Sequence, residues 1–294
     1  MDSVNLIDMS GGVVKLPHAL SNVTDCLTDK GEHYITGNIK NMYVKIRGEA
    51  CYVSGSLNKF LNGNSLVNMT RQDTQFAIEK LEDELELILG NFKVTKLEFG
   101  NCIEVENAPI DYIRLMDHVP RHKKFIMPNS VYFKIGSKKL SFYDKIKEMK
   151  EKNQPIPIQF EGKNMIKAEV ERTRLSKQFN KVVMATDLYQ KDFFLMLEND
   201  WKNQLIGIKT MGSSKPTTLK MTSSQYKDYV IAQFVELMGV EAIIQSIDQD
   251  RSFFSSPKEV QRMKSAIRNS KQLVQNNPLV IELTEKIMGF GVHV

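Results

Sequence analysis

A chain of 294 residues, 41% hydrophobic and 26% charged, has the composition of a globular protein with a full core, which excludes a fibrous or disordered polypeptide. Its three cysteines, Cys26, Cys51 and Cys102, are odd in number and show no Cys-x-x-Cys spacing, so neither a disulfide framework nor a zinc ribbon is expected. The net charge of +5 leans only mildly towards an anionic partner. The start, Met1-Asp2-Ser3-Val4-Asn5, lacks the basic flank and apolar run of a signal peptide, and no stretch reads as a membrane span, so a cytoplasmic protein without a membrane partner is expected.

In chain order, Leu6-Ile7-Asp8-Met9 and Val13-Val14-Lys15-Leu16-Pro17 give a short strand pattern broken by Gly11-Gly12. Three closely spaced runs beginning at His33, Met42 and Ala50 predict a β-meander, with Gly37-Asn38 and Arg47-Gly48-Glu49 at the reversals. The glycine-, serine- and asparagine-rich residues 55–64 could cradle phosphate, but the Gly-Lys-Ser/Thr ending of a P-loop is missing. Residues 70–89 predict a helix with Phe76, Leu81, Leu85 and Ile88 on its apolar face.

Residues 93–106 alternate, with Leu97, Phe99, Ile103 and Val105 on one side and Lys96, Glu98, Cys102, Glu104 and Glu106 on the other. A short helix start follows at Pro109. Residues 131–135 and 140–146 predict a hairpin about Gly136-Ser137. On its second arm, a strand over residues 140–145 sets Ser141, Tyr143 and Lys145 on one face. Residues 164–174 alternate again, with Ile166, Ala168 and Val170 inward and Lys167, Glu169 and Glu171 outward. Helical spacing resumes over residues 187–205, which include Trp201, expected to be a packing residue. After a loop at Gly212-Ser213-Ser214-Lys215-Pro216, residues 223–247 and 256–274 read as helices. The expected fold is α+β, an antiparallel sheet flanked by helices with a C-terminal helical appendage; residues 1–211 form the main domain and 216–294 the helical region.

Charge is distributed unevenly. Residues 121–181 hold 16 Lys and Arg against 6 Asp and Glu, while residues 79–106 hold 3 Lys against 8 Asp and Glu. A basic block beside an acidic one suits a protein that holds a polyanion and places carboxylates at one spot, and equally two solvated faces. If the strands bearing Glu98, Tyr143 with Lys145, and Glu169 are neighbours, two carboxylates meet a phenol. Carboxylate oxygens suit Mg²⁺ or Mn²⁺, which polarise a phosphodiester for attack by the tyrosine, with Lys145 offsetting charge. His118 and His122 share a His-x-x-x-His spacing, but Pro120 between them breaks the helix a zinc site needs. Arg251, Lys258, Arg262, Lys264, Arg268 and Lys271 make the tail helices basic, which fits DNA binding or a solvated face.

The order of these features resembles the gene II replication initiators of filamentous phages, within the wider II/X family of phage and plasmid replication proteins. The resemblance lies in Leu6-Ile7-Asp8-Met9 with Lys15-Leu16-Pro17, the run from Tyr52 to Gly63, Leu97-Glu98-Phe99, Tyr143-x-Lys145-x-x-Glu148 and Ala168-Glu169-Val170-Glu171-Arg172, over about residues 5–205. It implies a distant relation to the rolling-circle nicking endonuclease fold and a metal-dependent endonuclease and strand transferase. That enzyme nicks and rejoins one strand of single-stranded or supercoiled origin DNA through a 5′-phosphotyrosine. In it Tyr143 is the nucleophile, Lys145 an electrostatic aid, Glu98 and Glu169 ligands of Mg²⁺ or Mn²⁺, and Glu148 a third ligand or base. Lys134, Lys138, Lys139, Lys167, Arg172 and Arg174 of the basic block are expected to hold DNA. Host helicase and polymerase are the implied partners, in the bacterial host cytoplasm. Position 98 departs from the family pattern, carrying Glu for Asp, and the chain is shorter. The alternative is a DNA-binding phage protein that keeps the fold without the chemistry.

Overall fold

The computed structural model describes residues 3–8, 20–210, 222–275 and 277–290. Its strands are β1 (Ser3–Asp8), β2 (Ser21–Leu27), β3 (His33–Ile39), β4 (Met42–Arg47), β5 (Ala50–Gly55), β6 (Lys93–Val105), β7 (Met116–His118), β8 (Lys123–Met127), β9 (Ser130–Ile135), β10 (Lys138–Asp144), β11 (Asn164–Thr173) and β12 (Lys209–Thr210). Its helices are α1 (Leu57–Asn62), α2 (Arg71–Leu85), α3 (Pro109–Leu115), α4 (Lys145–Glu151), α5 (Leu175–Phe179), α6 (Lys191–Ile206), α7 (Ser223–Met238), α8 (Val240–Gln249), α9 (Pro257–Gln275) and α10 (Pro278–Gly289). Ten strands join one antiparallel sheet in the order β2-β3-β4-β5-β1-β6-β11-β10-β9-β8, in which the expected meander and hairpin both appear. The α+β architecture is as expected. The runs at Val13 and Gly212, and the boundary between residues 211 and 216, lie outside the described residues.

One face of the sheet carries the main core. Leu97, Phe99 and Ile103 of β6, Ile166, Ala168 and Val170 of β11, and Leu140 and Phe142 of β10 join it, covered by side chains of α1, α2, α3 and α6. Trp201 of α6 is fully buried there and donates its indole N–H to the Ala168 carbonyl at 2.9 Å, so it packs and also satisfies a buried acceptor. Among the described residues the opposite face is covered only in part, by a small core of Leu66, Cys102, Met149 and Met165 beneath α4. That cover makes Cys102 buried, although its alternation places it among the polar positions.

Local chemistry moves several expected elements. The strand over residues 140–146 stops at Asp144, whose side chain accepts from the Lys147 N–H and caps α4, so Lys145 opens a helix. Leu81 and Leu85 are buried as expected, with Thr74, Ala77 and Ile78 beside them, while Phe76 and Ile88 are exposed. α2 ends at Glu86, which is left-handed with φ 54°. The helix expected over 223–247 is two, divided at Gly239, whose φ of 83° suits glycine alone. Of the glycine-rich segment, Ser56 caps α1 and the buried Asn58 amide donates to the Val67 carbonyl at 2.6 Å. These polar groups hold the chain over the sheet.

The tail helices divide. Side chains from α7, α8 and α9 form a separate small core of Val235, Ile243, Ile247, Val260 and Ile267. α10 returns to the sheet: Ile287 enters the main core, Glu282 accepts from the Tyr112 hydroxyl and from the Glu106 N–H, and Phe290 packs edge-on against Trp201. No helix among the described residues is long and apolar enough to cross a membrane.

Candidate active site

β6, β11 and β10 are adjacent, and their register aligns three cross-strand rows on the partly open face. Glu98, Glu171 and Lys139 form one row. Gly100, Glu169 and Ser141 form the next, and Cys102, Lys167 and Tyr143 the third. The alternation that sends Leu140 and Phe142 into the core sends Ser141 and Tyr143 to this face. The Tyr143 hydroxyl donates to Glu169 Oε1 at 3.1 Å. Gly100 makes room for that carboxylate: a Cβ there would lie 2.6 Å from Glu169 Cγ and 2.5 Å from the Ala168 carbonyl oxygen.

Three carboxylates crowd the first two rows. Burial, the neighbouring charge of Glu169 and a hydrogen bond with Glu171 push the Glu98 carboxyl up to about 7. Burial also pushes Glu171 up, but the hydrogen bond from Glu98 and the ammonium of Lys139 at 2.8 Å outweigh it and hold Glu171 at about 2. Below about pH 7 the pair therefore favours a proton on Glu98, hydrogen-bonded to Glu171, and above it both carboxylates are ionised. Lys96 approaches both, at 3.7 Å from Glu98 and 3.2 Å from Glu171. Ser141 is 2% exposed, and its hydroxyl finds no partner among the described residues.

Lys145 reaches the site from α4. Its ammonium is buried, lies 5.6 Å from the centroid of the Tyr143 ring, and contacts Glu148 at 2.7 Å. Glu148 is on the same turn with its other oxygen on Lys152, and these two lysines hold it below the usual carboxylate range against the effect of burial. A helix therefore brings Glu148 beside Lys145. Glu98, Glu148 and Glu169 are not gathered into one ligand set: among the described residues no group of three or more His, Cys, Asp or Glu is arranged to hold a metal ion.

The expected DNA contacts divide by face. Lys139 and Lys167 lie in the rows above, Lys167 buried, while Lys134 and Arg174 are exposed. Lys138 and Arg172 point the other way. Both occupy the core-side phase of their strands, where Lys138 bonds Gln204 of α6 and Arg172 bonds Asp200 of α6 and, at 2.7 Å, Gln178. Glu171 went unselected in the sequence, yet the same alternation that exposes Glu169 exposes it two residues on. Ser141 and Gly100 carry no signal of their own, because their importance comes from register.

Glu98 and Glu169 fit a small hard cation. Both offer oxygen donors, their mutual repulsion is what a cation relieves, and Mg²⁺ needs only one or two protein carboxylates beside substrate phosphate. The family model for the N-terminal region of the phage gene II replication-associated protein matches residues 14–194. A search of the curated proteins finds no match.

Proposed function

This chain belongs to the gene II family of phage replication-associated proteins, and from that premise we propose that it nicks and rejoins one DNA strand at the replication origin, with Tyr143 as nucleophile. The observation that carries this is the hydrogen bond from the Tyr143 hydroxyl to Glu169, in a sheet face where carboxylates and buried lysines converge. Glu169 aims the phenol and takes its proton. Lys145, beside the ring, offsets the negative charge that develops as the phenol, ordinarily a weak nucleophile at neutral pH, gives up its proton. A bond forms from the tyrosine oxygen to phosphorus and the bond from phosphorus to the 3′-oxygen breaks. The leaving 3′-oxygen takes up a proton, so the products are a 5′-phosphotyrosine and a free 3′-hydroxyl. One phosphodiester replaces another, and the reverse step rejoins the strand without an added energy source.

Mg²⁺ or Mn²⁺, held by Glu98 and Glu169, would neutralise charge on the phosphodiester under attack. Lys139 stays paired with Glu171 and keeps that carboxylate ionised. The sheet is read as a distant relative of the rolling-circle nicking endonuclease fold. Origin DNA is the substrate, and the 3′-hydroxyl is the end that a host polymerase extends, behind a host helicase, in the bacterial cytoplasm.

Single-stranded oligonucleotides tiled across the genome that encodes the chain test this directly. With Mg²⁺ or Mn²⁺, one or a few of them should yield an adduct that survives denaturing electrophoresis, and Tyr143→Phe should abolish the adduct while keeping salt-sensitive binding. Binding without any adduct from the parent protein would favour a DNA-binding role on the same fold, and an undiminished adduct from the variant would exclude Tyr143.

A further inference from the structure

The face that carries Tyr143 does not end at β6. Ser3 of β1 sits opposite Glu98, and the same phase runs on through β1, β5, β4 and β3. Asn5, Ser54, Tyr43 and Asn38 form one row across these strands; Ile7, Tyr52, Lys45 and Thr36 form the next. A shallow groove of about 380 Å³ follows them, lined by Tyr43, Lys45, Arg47, Tyr52 and Thr95. Tyr43 is 42% exposed, and the Lys45 ammonium lies 4.1 Å from the centroid of the Tyr34 ring.

The chemistry of this surface is selective. In this phase β1, β3, β4 and β5 present hydroxyls, amides, one alanine, one isoleucine, three tyrosines and two cations, and no carboxylate; Glu32 pairs with Arg47 from outside the strands. Among the described residues no carboxylate pairs with Lys45. Flat rings interleaved with cations on an open sheet match an unpaired strand, whose bases stack on tyrosine while its phosphates meet Lys45 and Arg47. Duplex DNA keeps its base faces buried and would meet the cations alone.

We propose that the face of β3, β4, β5 and β1 is a binding track for single-stranded DNA, with Tyr34, Tyr43 and Tyr52 as stacking platforms and Lys45 and Arg47 as phosphate contacts. It lies on the same sheet face as the candidate nucleophile, so a strand leaving Tyr143 across β10, β11 and β6 runs onto it. The proposal rests on the nicking reading for its choice of DNA, but binding is measured separately from cleavage.

The test is fluorescence anisotropy of the full chain, in EDTA, with a fluorescein-labelled mixed-sequence single strand of about thirty nucleotides, enough to exceed a single-module site. The double variant Tyr43→Leu with Tyr52→Leu should weaken binding by at least about tenfold, and Tyr43→Phe with Tyr52→Phe should restore it, since stacking needs the ring and not the hydroxyl. Lys45→Gln with Arg47→Gln should lower the slope of log affinity against log salt by about 0.7 per charge removed. Leucine variants that melt like the parent and bind within about twofold of it would overturn the proposal, as would a duplex of the same sequence competing equally well. Should the leucine variants not fold, 5-iododeoxyuridine in the strand reports on the parent protein: photo-crosslinks to Tyr34, Tyr43 or Tyr52 support the track, and crosslinks confined to other residues overturn it. If the parent forms the covalent adduct but these variants bind normally, the track is wrong and the nicking reading stands. If no adduct forms yet the variants lose binding, the nicking reading falls and the track stands.

Discussion

Glu98 is the residue whose ionisation the fold disturbs most clearly at the site. Folding raises its pKa from 4.5 to about 7, through burial first and the charge of Glu169 second, so the folded protein holds this proton more tightly than the unfolded chain. Its contribution to stability is complete below about pH 4.5 and is lost as pH rises through about 7, a change on the order of 3 kcal/mol at 1.36 kcal/mol per pKa unit. Glu171 has the opposite sign. Its pKa is held down at about 2, so its contribution is present above about pH 4.5 and disappears as pH falls through about 2. The melting temperature should therefore fall as pH rises across the window from 4.5 to 7, and Glu98→Gln should flatten that limb; a parent protein with a flat profile there would contradict the crowding described. The alternating pattern was enough to place Glu98, Glu169 and Tyr143 on polar faces. It misplaced Lys145, because Asp144 caps a helix where the pattern continues a strand.

At the scale of elements, the site depends on how closely β6 and β11 approach at Gly100. Gly100→Ala would push a methyl group against the Ala168 carbonyl and the Glu169 side chain. Overpacking of this kind costs about 1–3 kcal/mol in well-packed regions, and here it also displaces the carboxylate that accepts the Tyr143 hydrogen bond. Urea denaturation should show the loss of stability, and adduct formation should fall more than binding does; normal adduct formation would mean that Glu169 is not the partner. Element types followed from periodicity, so the meander, the hairpin and the acidic strands were legible. Pairing was not, because alternation says which residues share a face and nothing about which strand lies alongside. Charge alone did not give direction: Lys138 and Arg172 are cations of the basic block, and strand phase turns them towards Gln204 and Asp200 of α6.

Across the whole molecule, α10 ties the end of the chain to the sheet while α7, α8 and α9 keep a core of their own. Ile287 is 3% exposed within the main core, so Ile287→Ala should destabilise the sheet by about 2–5 kcal/mol. Ile267→Ala, in the separate small core, should leave the sheet's own unfolding transition in place; scanning calorimetry distinguishes the two, and equal effects on one transition would show that the cores unfold together. The return of α10 was not legible, since an amphipathic tail helix packs on whichever apolar surface its length of chain lets it reach. The proposed function depends above all on Tyr143, and the most direct measurement is mass spectrometry of the DNA adduct after nuclease and trypsin. Cleavage after Lys139 and Lys145 isolates a peptide whose one tyrosine is Tyr143. A nucleotide mass on that peptide, fragmenting to Tyr143, is the predicted result; an adduct on any other peptide, or none from DNA that is nonetheless cut, would contradict a tyrosine-linked mechanism at this site.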